Sequence, residues 1–305
     1  MVENIYTNEY LSTVIQKWNS CLVREDALPV LPLQRNFYDQ YIRFNKDRVV
    51  VIISDAMRYE VGCSLFLKLQ DDEKCTAKLS AMLSVLPSYT KLGMAALLPH
   101  KTFEMTDDYK VLVDGIPSDD LKQRETILKN YSPNSRCVQF DDVKAMKKAE
   151  LREIFTGMDV VYIYHNQIDA RGDKPNSENE VFTACEEAIE EVFALIKRLS
   201  VSANTNHFIV TADHGFIYKR DKLQESDKIA NATGKDAFVN RRFIVSNQPL
   251  YDDGIASIPM SRILRQRRQQ SGIFPCQLQC FQGCRGWPEL CTWWLFSAGN
   301  DCACY

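Results

Sequence analysis

The sequence contains no apolar run approaching the ~20 residues that a membrane span requires. Its first residues, Met1 to Asn8, include acidic and polar residues and hold no apolar signal core, which predicts that the protein is not secreted. The formal net charge is only -3, so there is no electrostatic case for indiscriminate binding to nucleic acid. These absences favour a cytoplasmic protein with no membrane partner.

The length and composition fit one large α/β domain, or one domain with appended segments. Of the 305 residues, 45% are hydrophobic and 25% are charged, which is ordinary for a globular protein. From Val49 onward, short apolar runs alternate with segments of helical period, a pattern typical of a mostly parallel central sheet with helices on both faces. Strands are predicted at 49–54, 109–113, 136–140, 159–164 and 207–211, and helices at 58–69, 91–98, 120–130, 143–155 and 179–199.

Acidic and histidine residues follow the ends of three of these predicted strands. They are Asp55, His165, Asp169, Asp173, Asp213 and His214. Because the carboxyl ends of parallel strands meet at one edge of a sheet, we expect these side chains to lie close together. One such aspartate could simply cap a helix, but three strand ends of this kind indicate a site for divalent metal ions.

A candidate nucleophile lies in the segment from Leu86 to Pro99. Thr90 stands where a turn enters a predicted helix. There its hydroxyl would face free backbone amides and the positive end of the helix dipole, which together favour a bound phosphate. The alternative for this residue taken alone is a capping threonine without chemistry, because threonine is common at that position.

The order of these motifs along the chain resembles that of the alkaline-phosphatase superfamily. Their amino-acid sequences resemble those of its PglZ family. The motifs are Ser54-Asp-Ala-Met-Arg-Tyr-Glu60, Leu86-Pro-Ser-Tyr-Thr-Lys-Leu-Gly-Met-Ala-Ala-Leu-Leu-Pro99, Tyr164-His-Asn-Gln-Ile-Asp-Ala-Arg-Gly-Asp173 and Ala212-Asp-His-Gly215. The resemblance extends from about Asn36 to Leu264. It implies an alkaline-phosphatase-like fold and a metal-dependent hydrolase of phosphomonoesters or phosphodiesters, with nucleic acid as a candidate substrate. It also implies a place in BREX-type phage defence, with other defence-system proteins as partners.

By the same resemblance the chain would bind two divalent metal ions, most often zinc. The first ion would be held by Asp55, Asp213, His214 and the oxygen of the nucleophile Thr90. The second would be held by Asp169 and Asp173 together with a histidine from the C-terminal part. Typical superfamily members have histidine in the place of Asp173, so the identity of the metal stays open.

Five further residues are candidate substrate contacts. Arg58 and the pair Arg241 and Arg242 could bind a phosphate through two hydrogen bonds each, although a surface salt bridge is an alternative for all three. His165 and Asn166 could support the second metal or the substrate, or simply satisfy a loop.

After Leu264 the character of the sequence changes. No lysine follows Lys235, three of the four tryptophans lie in the last 19 residues, and cysteines crowd together. A zinc knuckle at Cys276, Cys280 and Cys284 is disfavoured, because structural zinc sites pair their ligands around a defined turn.

The genetic code gives another account of this tail. Codons for Thr292-Trp-Trp-Leu295, read from their second base, must encode Gly-Gly after His, Leu, Pro or Arg. The same frame over Leu290 to Tyr305 permits Tyr-Val-His-Gly-Gly-Tyr-Ser-Ala-Gln-Glu-Met-Ile-Val-Pro-Val, which resembles the C-terminal PglZ motif and its ligand histidine. We therefore predict a frameshift after Leu264, with an ordinary divergent tail as the alternative.

The predicted organisation is a helical lead-in at 1–48, a catalytic domain at 49–264 and an aberrant, irregular tail at 265–305 that lacks the last core strand and the second-site histidine. The expected function is a phosphoester hydrolase that is impaired because its second metal site is incomplete. The alternatives are a non-catalytic interaction module of the defence complex and an inactive gene remnant.

Overall fold

The structure is a computed structural model that describes residues 2–23, 31–172, 180–218, 228–229, 237–240, 242–248, 250, 254–264, 270–275, 280–281, 290–291 and 297–304. The chain forms two compact units. The larger comprises Leu31–Thr102, Val111–Phe216 and Trp293–Tyr305, and the smaller comprises Met1–Val30, Phe103–Lys110 and Ile217–Thr292. The predicted lead-in at 1–48 is thus divided between the two units.

The strands and helices follow in chain order. The strands are β1 (Val49–Ser54), β2 (Cys75–Met82), β3 (Phe103–Met105), β4 (Val111–Val113), β5 (Ile116–Pro117), β6 (Ser135–Gln139), β7 (Val160–His165), β8 (His207–Thr211), β9 (Ile217–Tyr218), β10 (Lys228–Ile229), β11 (Ala237–Val239), β12 (Ile244–Ser246), β13 (Ile255–Pro259), β14 (Ser271–Pro275), β15 (Cys280–Phe281), β16 (Leu290–Cys291) and β17 (Ser297–Cys304). The α-helices are α1 (Val2–Asn4), α2 (Ser12–Val23), α3 (Phe37–Tyr41), α4 (Tyr59–Gln70), α5 (Thr90–Ala96), α6 (Leu121–Tyr131), α7 (Phe140–Ala145), α8 (Lys148–Phe155), α9 (Gln167–Gly172), α10 (Val181–Ala203) and α11 (Met260–Leu264). A π-helix spans Ile5–Leu11 and a 3₁₀ turn spans Gln34–Asn36.

The larger unit is built on a six-stranded sheet in the order β2-β17-β8-β1-β7-β6. Strands β8, β1, β7 and β6 are parallel, whereas β17 is antiparallel to both of its neighbours. Every residue of β1 and β7 is buried. A strand that is buried throughout must be covered on both faces, which explains why its sequence is continuously apolar rather than alternating. The predicted α/β class with a mostly parallel central sheet is confirmed.

Local sequence signals explain the helices beside this sheet. Helix α6 begins with a capping box in which Asp120 accepts a hydrogen bond from the Gln123 amide and Gln123 reaches back. Helix α10 buries residues at spacings of three and four along one face. It ends at Asn204, which has the left-handed conformation common at helix ends. Among the described residues, no helix is both long and apolar enough to cross a bilayer.

The strand predicted at 109–113 is shorter than expected and lies outside the central sheet. Its ordered part is β4, which pairs with β5 in an antiparallel hairpin. Asp114 and Gly115 both have positive φ angles, so the chain reverses directly after β4 and cannot continue as a sheet strand. Strand β2 was not among the predicted strands, and most of its residues are only partly buried or exposed.

The expectation that residues 265–305 contain no ordered strand is wrong. Ser297–Cys304 form β17, which pairs with β2 on one side and with β8 on the other. In addition, β14 pairs with β12 and β13. Ladder hydrogen bonds join backbone groups, so a strand can form without the alternating side chains on which the expectation depended. The frameshift is a separate statement about the gene and stays a prediction.

The smaller unit contains a four-stranded sheet in the order β11-β12-β14-β13. Ile244 and Ile273 are its fully buried centre, and the partly buried side chains around them include Val239 and Ile255. The pairing across this centre joins Ile244 directly to Ile273. An apolar cross-strand pair of this kind stabilises a small antiparallel sheet.

Candidate metal centre

Strand ends bring the predicted metal ligands together at one edge of the central sheet. Asp55 follows β1, Asp213 and His214 follow β8, and Asp169 lies in the first turn of α9 after β7. One ligand atom from each of Asp55, Asp169 and His214 lies within 4.8 Å of the other two. The larger unit therefore gathers in space carboxylates and an imidazole that are far apart in the sequence.

The imidazole of His214 is oriented by its own backbone. Its Nδ1 lies 3.0 Å from the Gly215 carbonyl oxygen, to which it donates. This hydrogen bond fixes the tautomer in which Nε2 carries no proton and can accept a hydrogen bond or bind a metal ion. Nε2 lies 3.5 Å from Asp55 Oδ1 and 3.6 Å from Asp213 Oδ2. The ring thus places a nitrogen that could bind a metal ion close to oxygen atoms of both carboxylates.

Thr90 lies against the same imidazole. Its Oγ1 is 3.1 Å from His214 Nε2, to which the hydroxyl donates. Thr90 is the first residue of α5, and the capping position belongs to Tyr89. The structure therefore brings Thr90 beside the candidate ligands and does not use it as a helix cap.

The two central carboxylates are buried and incompletely satisfied. Asp213 is 0% exposed and Asp55 is 5% exposed. Asp55 Oδ1 and Asp213 Oδ2 have no hydrogen-bond partner among the described residues. Burial raises the pKa of Asp213 to about 7, and burial together with the charge of Asp213 raises the pKa of Asp55 well above its usual range.

Such a cluster fits a divalent cation. Unsatisfied buried oxygens are rare in folded proteins, and each one calls for an explanation. Carboxylate oxygens and a neutral imidazole nitrogen are ligands that divalent metal ions accept, and a cation would remove the repulsion between the buried carboxylates. The residues that could hold such an ion are Asp55, Asp169, Asp213 and His214.

Comparison with known proteins identifies the family. The family model described as "BREX system PglZ alkaline phosphatase-like domain" matches residues 37–282. The chain belongs to the PglZ family. The resemblance inferred from the sequence motifs is confirmed.

Two curated relatives align with most of this PglZ chain. It is 40% identical over 270 residues to the alkaline phosphatase-like protein PglZ of Bacillus cereus. The alignment covers 86% of this chain and 32% of the relative. It is 36% identical over 266 residues to the alkaline phosphatase-like protein BrxZ of Escherichia coli. That alignment covers 83% of this chain and 30% of the relative. The chain therefore spans about a third of the length of these relatives.

Solved structures share the fold at low identity. Murine ectonucleotide pyrophosphatase/phosphodiesterase 5 is 12% identical with a TM-score of 0.56, and its human counterpart is 11% identical with a TM-score of 0.54. In both cases the match covers 84% of this chain and 88% of the other protein. An inactive threonine-to-alanine variant of the murine protein, in complex with AMP, has a TM-score of 0.55 at 12% identity.

Two residues that the sequence did not single out support the candidate metal centre of the PglZ domain. The buried Gln34 amide donates to the carbonyl oxygens of Ala212 and Asp213 at 3.0 and 2.8 Å, and its oxygen accepts from the Val85 amide at 3.0 Å. A Cβ atom added at Gly93 would lie 2.3 Å from the Asp213 carbonyl oxygen. Nothing in the sequence marks Gln34, whereas a glycine inside a predicted helix is a recognisable sign of close packing.

The proposed substrate contacts have different environments. The Arg58 guanidinium donates to Glu60 at 2.6 Å and lies 5.0 Å from the centre of the Phe216 ring. The Nε of Arg58 is buried without a partner among the described residues. Arg242 lies in the smaller unit, and Arg241 and Asp173 lie outside the described residues.

His165 and Asn166 lie side by side but are not equivalent. The ring nitrogens of His165 contact Ser54 and Glu191, at 3.0 and 3.1 Å, and the residue is 2% exposed. Neither nitrogen is left for a metal ion or a phosphate. Asn166 is exposed and lines a cleft of about 700 Å³. The cleft is also lined by Asp55 and Thr90, so it leads from solvent to the candidate metal centre.

Proposed function

We propose that this chain is the catalytic core of a metal-dependent phosphoester hydrolase that works in bacterial or archaeal phage defence. The observation that carries the proposal is the position of the Thr90 hydroxyl, 3.1 Å from the imidazole of a buried cluster with unsatisfied carboxylate oxygens. A nucleophile beside a cation site at the end of an open cleft is the arrangement that phosphoryl transfer requires.

The residues of this chain would divide the work as follows. Asp55, Asp213 and His214 would hold the first divalent ion, with zinc as the expected metal, and Asp169 and Asp173 would contribute to a second. A bound divalent ion supplies positive charge that lowers the pKa of a neighbouring hydroxyl and favours an anionic phosphoryl group. Thr90 would attack phosphorus in line, so that the bond from Oγ1 to phosphorus forms while the bond to the leaving oxygen breaks. The proton that Thr90 loses would be balanced by one taken up by the leaving oxygen. Water would then hydrolyse the bond between Thr90 and phosphorus, releasing phosphate from a monoester substrate or a phosphomonoester from a diester and restoring the hydroxyl.

The substrate would be a phosphomonoester or phosphodiester bound in the cleft. A phosphodiesterase of the same fold was captured with AMP, which supports a nucleotide or nucleic acid as candidate. Other defence-system proteins are the expected partners, because the family model describes a BREX system. We expect this function in the cytoplasm.

The C-terminal tail is the basis for expecting impaired activity. The family match ends at residue 282, and the alternative reading of the codons begins at Leu290, so we propose that the frame changes between these points. That reading places His-Gly-Gly at positions 292–294, two residues before Ser297–Cys304, the segment that forms β17. The corresponding protein would gain the histidine of the second metal site. Sequencing the DNA across this interval tests the proposal. Related genes that encode the same cysteine- and tryptophan-rich tail in one frame with the matched domain would contradict it.

Hydrolysis by a frame-restored protein tests the function directly. Wild type, Thr90→Ala and Thr90→Ser should be assayed with an aryl phosphate monoester and a bis-aryl phosphodiester in the presence of zinc. Thr90→Ala should abolish turnover, and Thr90→Ser should retain part of it because serine keeps the hydroxyl. Lys91→Ala is the matched control, since the Lys91 side chain is 66% exposed on the same helix. Unchanged turnover in Thr90→Ala would exclude Thr90 as the nucleophile, and zinc binding without any turnover would favour an interaction module.

A further inference from the structure

A chain of hydrogen bonds connects helix α10 to the end of β1. Glu191 Oε2 on α10 lies 3.1 Å from His165 Nε2, and Ser54 Oγ lies 3.0 Å from His165 Nδ1. The other oxygen of Glu191 accepts from Lys144 Nζ at 2.6 Å. Ser54 is 0% exposed and His165 is 2% exposed, so the chain runs from a partly exposed carboxylate into the core.

The position of this chain in the sheet is distinctive. Strands β1 and β7 pair in register from Val49↔Val160 onward, and Ser54↔His165 is the last pair. The first pairs of the ladder are valines, which stabilise a buried sheet without any polar partner. A hydroxyl and an imidazole in the same environment are costly unless they are hydrogen-bonded, and an apolar pair would serve the sheet equally well. The polar pair therefore calls for a reason beyond the stability of the sheet.

The reason lies in the turn that follows Ser54. The Asp55 amide donates to the His165 carbonyl oxygen at 2.8 Å, and the Met57 amide donates to the Ser54 carbonyl oxygen at 3.2 Å. Between them, Ala56 has a φ of 63°, a left-handed conformation that is unfavourable for alanine. Such a conformation persists only where the surrounding structure holds it.

We infer that Ser54, His165 and Glu191 form a positioning chain that holds the Asp55–Ala56 turn and thereby aims the Asp55 carboxylate at the metal centre. His165 acts through its neighbours and contacts neither metal nor substrate, because both of its ring nitrogens are engaged within the chain. The Phe140 ring packs against the imidazole, with the two ring centres 4.3 Å apart, and restricts its movement. The role of Asp55 as a metal ligand rests on the proposed function. The effect of the positioning chain on the conformation of the Asp55–Ala56 turn does not.

Hydrogen exchange in the metal-free full chain tests the positioning role. The amides of Asp55, Ala56 and Met57 are all hydrogen-bonded and serve as reporters. In His165→Phe and in Glu191→Ala, these amides should exchange on the order of tenfold faster, because the turn opens locally while the sheet stays folded. Glu191→Gln should keep the slow exchange of wild type, since the side-chain oxygen of glutamine can still accept the hydrogen bond from His165.

A neighbouring residue supplies the control. Glu190 is next to Glu191 on α10 but pairs with Lys68 at the surface, so Glu190→Gln should leave the reporters unchanged. Unaltered exchange at the turn in Glu191→Ala would overturn the inference. Uniform acceleration throughout β1, β7 and β8 would also overturn it, because it would indicate a merely structural role. If His165→Phe fails to fold, Glu191→Ala decides the outcome, since the Glu191 side chain is 22% exposed and tolerates truncation.

Zinc affinity provides a second readout that separates this inference from the proposed function. Calorimetric titration should show zinc binding weakened by about 10–100-fold in Glu191→Ala and restored in Glu191→Gln, as for other residues that orient metal ligands. A wild-type chain that takes up no zinc would contradict the proposed metal centre but not the exchange result. Wild-type zinc affinity in Glu191→Ala would contradict the positioning chain alone.

Discussion

Replacing Gly93 with alanine should destabilise this protein, even though alanine is the better helix former. Gly93 lies within α5, and the added Cβ would be 2.3 Å from the carbonyl oxygen and 2.8 Å from the carbonyl carbon of Asp213. Ordinary contacts begin at 3.4 Å, so α5 and the Asp213 backbone would have to separate by about 1 Å. The atoms that clash belong to backbone, which cannot rotate away as a side chain could.

The magnitudes of the opposing effects decide the sign. Alanine in place of glycine in a helix gains roughly 0.5–1 kcal/mol. Overpacking of a buried contact costs typically about 1–3 kcal/mol. The free energy of unfolding should therefore fall by up to about 2 kcal/mol. The retreat of α5 would also carry Thr90 away from His214, and a misplacement of about 1 Å at a reacting group can reduce a rate by roughly 100-fold.

Thermal unfolding, together with turnover in the frame-restored protein, measures both effects. Lys91→Ala is again the control, because it changes the same helix at an exposed position and should leave unfolding temperature and turnover near wild type. If Gly93→Ala unfolds at a higher temperature than wild type, the close approach of α5 to Asp213 is not as described, and the account of how Thr90 is positioned is wrong.

Three other predictions concern protonation, backbone support and the tail. Because burial raises the folded-state pKa of Asp213 to about 7, its stabilising contribution in the metal-free protein is complete below about pH 4 and is lost as pH rises through 7. The unfolding temperature of wild type relative to Asp213→Asn should therefore fall between about pH 4 and pH 7, and a flat difference would contradict the raised pKa. Gln34→Leu should lower the free energy of unfolding by about 1–3 kcal/mol, because it leaves the buried Val85 amide and the Asp213 carbonyl unpaired; an unchanged value in urea denaturation would refute that support. Elemental analysis should find about one zinc per chain with the present C-terminal sequence and about two after the frame is restored before Leu290, whereas two in the unrepaired chain would show that the tail already completes the site.

The sequence predicted best what depends on strand ends. The apolar runs of β1, β7 and β8 placed Asp55, Asp169 and His214 at one sheet edge, and the structure brings their ligand atoms together. It did not predict Gln34, because a polar residue far away in the chain is marked by no local pattern, and only the fold brings its amide to the carbonyls after β8. Nor did the sequence reveal that both ring nitrogens of His165 are hydrogen-bonded to other side chains. A histidine at the end of a predicted strand is as compatible with a metal ligand as with such a buried hydrogen-bonded residue.

The tail was the other limit of sequence reasoning. Residues in β17 alternate poorly, yet their backbone fills the place between β2 and β8. Main-chain pairing at an available strand edge is almost independent of side-chain pattern, so the absence of a pattern did not exclude the strand. The proposed second metal site, by contrast, would need the side chain of a histidine that this reading frame does not encode in the tail.

The central claim is that Asp55, Asp213 and His214 hold a divalent ion beside Thr90. Anomalous diffraction at the zinc absorption edge, from crystals of the full chain grown with zinc, measures this directly. The account predicts a peak at about 2.0–2.2 Å from the carboxylate oxygens and His214 Nε2, adjacent to Thr90 Oγ1. A peak elsewhere with none between these side chains, or a fully bound crystal in which His214 still hydrogen-bonds to Thr90, would contradict it.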